Sequence, residues 1–200
     1  MMTVTYAAGA AIYVNMTNRC PCACTFCIRQ GREHVFESDS LWLEREPTVH
    51  EVCQSLDAWD LSAYQEVVFC GFGEPTERLD DLLEVARHLR EVSDIKIRLN
   101  TNGLCDLIAG EPTARRLKGL IDTVSVSLNH ASREDYLRVV RPRFGEVSYD
   151  AMLSFTRDAV AFVPSVVMTV VDGVTSREEQ ARCREIAESL GATLRVREYV

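Results

Sequence analysis

No stretch of this sequence approaches the roughly 20 continuous apolar residues of a membrane-spanning helix, so no helical span is expected. Its first residues, Met1–Tyr6, carry neither the basic segment nor the long apolar run of a secretory signal. The expected location is therefore the cytoplasm. Glycine and proline are scarce, 10 and 6 among 200 residues, which excludes collagen-like and low-complexity chains. Positive charge is in deficit, 22 Lys and Arg against 30 Asp and Glu, a net charge of −8. That balance argues against broad binding to nucleic acid or anionic membranes. Eight cysteines are too few for a disulfide scaffold, and a chain of this length buries enough surface to fold without one. No repeat or linker divides the chain, so residues 1–200 are expected to form a single domain.

What the sequence does have is an alternation of strand and helix patterns. Short β-branched or aromatic runs occur at Ile12–Thr17, Glu66–Phe72, Lys96–Asn102, Thr123–Asn129, Ser165–Val171 and Leu194–Val200. Helical patterns lie between them. Thr48 and Glu51 form a capping-box pair ahead of Val49, Val52, Cys53 and Leu56. Leu79, Leu82, Leu83, Ala86 and Leu89 make a second apolar stripe. Ser176 and Glu179 form another capping-box pair, ahead of Cys183, Ile186, Ala187 and Leu190. A weaker helix is expected over Thr113–Leu120, and a short and a longer one within Ser132–Phe162. Cys53 and Cys183 fall on apolar helix faces and read as core thiols.

Six strands separated by helices imply right-handed βαβ units and parallel strands. A sheet covered on both sides is apolar on both faces, and these strands are not. One face of Lys96–Asn102 carries Lys96, Arg98, Asn100 and Asn102, and one face of Thr123–Asn129 carries Ser125, Ser127 and Asn129. Polar residues on one face suit a sheet curled around a polar lumen. The expected fold is α/β, a partial (β/α)6 barrel: an open TIM-like barrel of parallel strands with ligands at the strands' C-terminal ends.

Four of the cysteines crowd into Cys20-Pro-Cys22-Ala-Cys24-Thr-Phe26-Cys27, directly after the first predicted strand. In a reducing compartment such a knot reads as a metal or cluster site. Cys20, Cys24 and Cys27 give C-x3-C-x2-C, and three thiolates on a cubane leave one iron open to a ligand, whereas ferredoxin-type carriers use four. Cys22 leaves a fully ligated electron-transfer centre as an alternative. A zinc-stabilised module is a second, although structural zinc sites commonly pair two such knuckles and no second cysteine pair exists here.

Two further motifs follow the same strand order: Gly71-Phe72-Gly73-Glu74-Pro75 after the second predicted strand and Asn100-Thr101-Asn102-Gly103 ending the third. With these the chain resembles the radical S-adenosylmethionine (SAM) superfamily over nearly its whole length, the glycine motif standing where the superfamily has G-G-E-P. The wording of Leu41-Trp42-Leu43-Glu44 and Arg141-Pro142-Arg143-Phe144-Gly145 is most similar to the small TatD-associated radical SAM proteins.

The resemblance implies an enzyme that uses a 4Fe-4S cluster to cleave S-adenosyl-L-methionine reductively, giving methionine and a 5′-deoxyadenosyl radical that abstracts hydrogen from a substrate. It implies metal ligands Cys20, Cys24 and Cys27, and a Phe26 segment lying against the adenine. Gly71, Phe72, Gly73 and Glu74 would meet the methionine end, and Asn102, Ser127 and Asn129 the ribose hydroxyls or carboxylate. An electron donor such as flavodoxin or ferredoxin, and a functional link to a TatD-family hydrolase, follow only from the resemblance; so does the alternative of a radical activase acting on a partner protein. The substrate is unidentified. Cys70 and Cys105, beside the two motifs, and Arg195 and Arg197, alternating on the last strand, are candidates to face the lumen. Trp42 and Glu44, in the long segment Ile28–Pro47, are candidates to close the cluster site.

Overall fold

A computed structural model describes residues 2–31, 33, 34 and 38–198 of the chain. One seven-stranded sheet runs through them in simple sequence order. Its strands are β1 (Thr5–Ala8), β2 (Ala11–Val14), β3 (Glu66–Phe69), β4 (Lys96–Thr101), β5 (Thr123–Ser127), β6 (Ser165–Val171) and β7 (Thr193–Arg197). All neighbours from β2 to β7 pair in parallel, with Phe69 opposite Leu99 and Leu99 opposite Val124. β1 and β7 are free edges, so the barrel is open.

β1 is an addition to the six-strand expectation. It pairs antiparallel to β2 through a tight turn at Gly9, whose φ of +58° suits glycine. The strand is four residues long and half alanine, too short and too weakly β-forming to stand out in the sequence. Several predicted strands also end early: β2 stops at Val14 and β3 at Phe69, and the residues beyond them form the loops that build the site. The predicted last strand stops at Arg197; its final residues Tyr199 and Val200 lie outside the described residues.

The helices are α1 (Val49–Asp57), α2 (Leu79–Val92), α3 (Cys105–Ala109), α4 (Arg133–Val140), α5 (Val147–Val160) and α6 (Arg177–Ser189). In place of the predicted helix at 113–120 stands a single 3₁₀ turn, Ala114–Leu117, preceded by the short α3. The capping box at Thr48 is complete: Thr48 Oγ1 accepts from Glu51 N–H, and Glu51 accepts from Thr48 N–H at 2.8 Å. That at Ser176 is half made. Ser176 Oγ accepts from Glu179 N–H, but the Glu179 carboxylate turns to Ala131 N–H at 2.8 Å and to His130 Nδ1 at 3.0 Å. The loop after β5 captures it.

The core lies between the sheet and the helices. Ile97, Leu99, Val124, Val126, Met168 and Val170 of the sheet's outer face are fully buried, as are Leu82, Val85, Ala86 and Leu89 of α2. Burial of each such Leu or Val contributes about 1.5–3 kcal/mol. Cys183 is fully buried in this core, whereas Cys53 is only partly covered. The inner face carries Arg98, Asn100, Ser125 and Ser127, the polar face expected from the alternation. Among the described residues no helix is long and apolar enough to cross a membrane.

Candidate cluster and cofactor site

The loop after β2 is held from three sides before it reaches the cysteines. Asn15, fully buried, donates through Nδ2 to Leu41 O at 2.8 Å and to Thr3 O at 3.1 Å. Asn18 exchanges two hydrogen bonds with the backbone of Leu43, at 2.8 and 3.1 Å, which fixes the segment around Leu41–Leu43 beside the loop. The glycine motif then nests against the same loop. A Cβ on Gly73 would lie 2.6 Å from Arg19 O and closer still to Thr17 O, and one on Gly71 would lie 2.8 Å from Asn15 Cγ. Both glycines are required by this close approach of two loops. Neither Asn15 nor this packing carries a signal in the sequence.

The cysteine loop is clamped on its outer side by the end of α4. Thr25 N–H donates to Val139 O at 2.8 Å, Ala23 N–H to Val140 O at 3.1 Å and Arg143 N–H to Pro21 O at 2.8 Å. α4 stops at Arg141, whose φ of +49° turns the chain into Pro142 and makes this pairing possible. Arg29 adds donors to Asn18 O and Cys22 O, both at 3.2 Å. These bonds fix the backbone of the loop that carries the four cysteines.

A cavity of about 210 Å³ results, lined by Cys20, Cys22, Cys24, Phe26 and Cys27 from the loop and by Asn102, Ser127 and Asn129 from the ends of β4 and β5. Cys22 is buried with its thiol against Cys20 and Cys24. The neighbouring Cys22 thiol holds Cys20 and Cys24 below their usual pKa, and those two neighbours push Cys22 above its own. Burial raises Cys27. Among the described residues, the set of three metal-capable side chains whose ligand atoms lie within 4.8 Å of one another is His130, Asp135 and Glu179. That set braces the loop after β5: Glu179 holds Ala131, and Asp135 accepts from Ser132 and pairs with Arg138. No three cysteine sulfurs among the described residues all lie within 4.8 Å of one another, against the roughly 3.8 Å between thiolates on one tetrahedral zinc that follows from Zn–S bonds near 2.3 Å.

Two buried polar atoms of this cavity's lining have no partner among the described residues, Asn102 Nδ2 and Asn129 Oδ1; Tyr136 Oη, outside the lining but near Cys22 and Cys24, is a third. Buried polar atoms are ordinarily paired, so orphans converging on a cavity mark the place of a ligand. Asn129 adopts φ +63°, a left-handed conformation that Asn tolerates better than most residues. Tyr136 is fully buried, and burial together with the nearby Cys22 and Cys24 pushes its pKa up. It went unnoticed in the sequence because it sits on an ordinary helix.

The other predicted residues are placed elsewhere. Gly71 and Phe72 line a second, adjoining cavity, with Cys70. Phe72 is buried beside Tyr6 and Leu41 and meets the edge of Trp42 at 5.1 Å, so Trp42 packs there and does not line the cysteine cavity. Gly73 and Glu74 line neither cavity. The buried Glu74 carboxylate accepts from Thr76 N–H at 3.2 Å, Thr76 Oγ1 at 2.8 Å and Asn102 N–H at 2.7 Å. Burial raises its pKa, against the pull of those donors. Cys105 is buried beneath Thr101, 3.6 Å from its Oγ1, away from both cavities.

The sequence model of the radical SAM superfamily matches residues 14–182. The chain belongs to this superfamily. Among solved structures it is similar to a radical SAM methyltransferase from Sphaerobacter thermophilus (18% identity, TM-score 0.68, covering 97% of this chain and 57% of that one). It is also similar to SuiB from Streptococcus suis bound to S-adenosylmethionine (17%, 0.68, 94% and 38%). A third is HydG, the FeFe-hydrogenase maturase from Carboxydothermus hydrogenoformans (18%, 0.67, 95% and 44%). The chain therefore spans about half or less of the length of these proteins. No curated protein matches it. The superfamily uses a 4Fe-4S cluster and S-adenosyl-L-methionine, and a soft thiolate set sharing its cavity with orphaned polar atoms fits both.

Proposed function

We propose that this single radical SAM core domain holds a 4Fe-4S cluster on Cys20, Cys24 and Cys27 and binds S-adenosylmethionine across the cavity toward Asn102, Ser127 and Asn129. Held there, a reduced cluster with S-adenosylmethionine would supply radical chemistry for hydrogen-atom abstraction from an unidentified substrate, with methionine and 5′-deoxyadenosine as its products. One observation carries this reading: Cys20, Cys24 and Cys27, with Cys22 among them, share one cavity of about 210 Å³ with two asparagines that each hold an orphaned polar atom.

The chain's own residues bind and orient. Asn102 Nδ2 offers a donor and Asn129 Oδ1 an acceptor, suited to a carboxylate or hydroxyl and to a hydroxyl or amine. Glu74 fixes Asn102 through its backbone. Phe26 offers an aromatic face at the cavity wall. Gly71 and Gly73 act by seating the loop after β3 on the loop after β2, and Phe72 packs beside Tyr6 and Leu41. The adjoining cavity, about 440 Å³, favours a small-molecule substrate over activation of a partner protein.

The narrower kinship with TatD-associated proteins rests on residues 41–44 and 141–145. With it comes a proposed link to a TatD-family hydrolase, while a flavodoxin or ferredoxin electron donor is proposed from the superfamily and a cytoplasmic setting from the sequence. Anaerobic reconstitution followed by dithionite and S-adenosylmethionine tests the activity: 5′-deoxyadenosine and methionine are expected in equal amounts. An intact cluster that yields neither overturns the reading. Cys22 favours one rival, a fully ligated electron carrier, because its thiol faces the same cavity. Cys22→Ser is expected to retain the cluster, and its loss would decide for the carrier.

A further inference from the structure

The lumen continues past the cysteine cavity into the second cavity of about 440 Å³, the two sharing Ile28, Arg197 and Glu198. Its charge is unbalanced. Arg98 on β4 is paired with Glu66, Nη2 to Oε1 2.9 Å. Arg197 and Glu198, of opposite sign, both line the junction. Arg195 makes no ion pair among the described residues; its guanidinium reaches over β6 to Ser125 Oγ on β5, 3.3 Å away. That reach spans two inter-strand spacings, about 10 Å, and lays the positive group on the sheet's inner face.

Desolvation, together with Arg98 and Arg197, lowers the pKa of Arg195, as expected of a cation short of counter-charge. The same walls hold two orphaned buried atoms, Arg98 Nε and Asn100 Oδ1, an unused donor and an unused acceptor. At the far side Tyr6 and Tyr13 stack, with ring centroids 5.3 Å apart, and Phe72 lies beside them.

Building on the function proposed above, we propose that this cavity is the substrate site and takes a small organic monocarboxylate, its carboxylate meeting Arg195 and Arg98 Nε and its apolar body lying on Tyr6, Tyr13 and Phe72. Counting Glu66, the charged groups of this cavity sum to a net charge of +1, which matches a monoanion better than a dianionic phosphate ester. Asn100 Oδ1 is free to accept from a hydroxyl or ammonium of the same molecule, which makes it a specificity-determining group. The cavity's size lies within the range of small-molecule sites.

The test is calorimetric titration of the anaerobically reconstituted full chain, with S-adenosylmethionine present, using phenylacetate and its neutral isostere phenylacetamide as probes. A charge-assisted pair commonly contributes about 1.5–3 kcal/mol, so phenylacetate is expected to bind at least tenfold more tightly than the amide. Arg195→Gln is expected to abolish that preference while the amide's affinity stays unchanged. Asn100→Asp, which adds a negative charge to the wall, is expected to weaken phenylacetate alone. Equal affinity for the two probes, no binding of either at 10 mM, or a preference surviving in Arg195→Gln overturns the proposal. Formation of 5′-deoxyadenosine by the same preparation reports separately on the enzymatic reading. Cleavage without the carboxylate preference sinks this inference alone, and the preference without cleavage sinks the enzymatic reading alone.

Discussion

Glu74 Oε2 accepts the backbone N–H of Asn102 at 2.7 Å, joining the loop that follows β3 to the end of β4. The other carboxylate oxygen is taken by Thr76, so a buried acidic group has a donor at each oxygen and no free face toward either cavity. On the function proposed above, the acidic residue of the glycine motif would act through Asn102, as a positioning residue. Glu74→Gln replaces one acceptor by an NH₂ group that faces an N–H donor. A loss of about 1–3 kcal/mol in urea unfolding is expected, together with weaker S-adenosylmethionine binding. Unchanged stability and affinity would show that the joint does no work.

Gly73→Ala drives a methyl group into the carbonyls of Thr17 and Arg19, which are backbone and cannot swing aside. Overpacking of this kind costs about 1–3 kcal/mol. Here the strain falls on the loop that presents the cysteines, so iron incorporation is expected to drop more than secondary structure does. Iron content and circular dichroism measured on one sample separate the two effects. A fully loaded alanine variant contradicts the account.

Asn129 offers a cleaner separation of fold from binding. Its left-handed backbone is acceptable to glycine, so Asn129→Gly preserves the turn while removing the orphaned Oδ1. Unfolding free energy is expected to change by under about 1 kcal/mol, the usual range for a compatible glycine. Affinity for S-adenosylmethionine is expected to fall about tenfold, one hydrogen bond's contribution. Equal affinity would remove Asn129 from the site.

Asp122 anchors the lower end of the sheet, remote from the cysteines. Partial burial alone would raise its pKa, but Arg90 at 2.6 Å and the Ile97 N–H at 2.7 Å together bring it below the ordinary aspartate value. A depressed folded pKa means that the stabilisation is present above the unfolded value of about 3.9 and is lost as pH falls through the folded one. Asp122→Asn is therefore expected to destabilise the protein at pH 7, by about 1–3 kcal/mol. The gap between variant and wild type should narrow below pH of about 4. A gap constant down to pH 2 contradicts the assignment.

Much of this architecture was legible because it rests on local periodicity. The alternation of Ile97 and Leu99 with Arg98 and Asn100 announced a sheet with one polar face, and the cysteine spacing announced the cluster loop. Asn102, Ser127 and Asn129 could be read as lumen-facing from strand parity alone, and they meet the cysteines at one cavity. What was not legible depends on contacts distant in sequence. Asn15 reaches Leu41, Glu74 reaches Asn102, and Glu179 abandons its own helix cap for Ala131. The glycines of the motif suggested close approach to a ligand, whereas the neighbour that excludes their side chains is the protein's own loop. Nothing in a helical stripe distinguishes Tyr136 from any other core residue.

The central claim is that three thiolates leave one iron of the cluster open to S-adenosylmethionine, with Cys22 standing aside. Electron–nuclear double resonance of the reduced, reconstituted protein with S-adenosylmethionine labelled with ¹⁵N at the amine and ¹⁷O at the carboxylate tests it most directly. The account predicts hyperfine coupling to both labels, unaltered in Cys22→Ser. A reduced cluster with no coupling to either label, and with Cys22 as a fourth cysteine ligand, would contradict it.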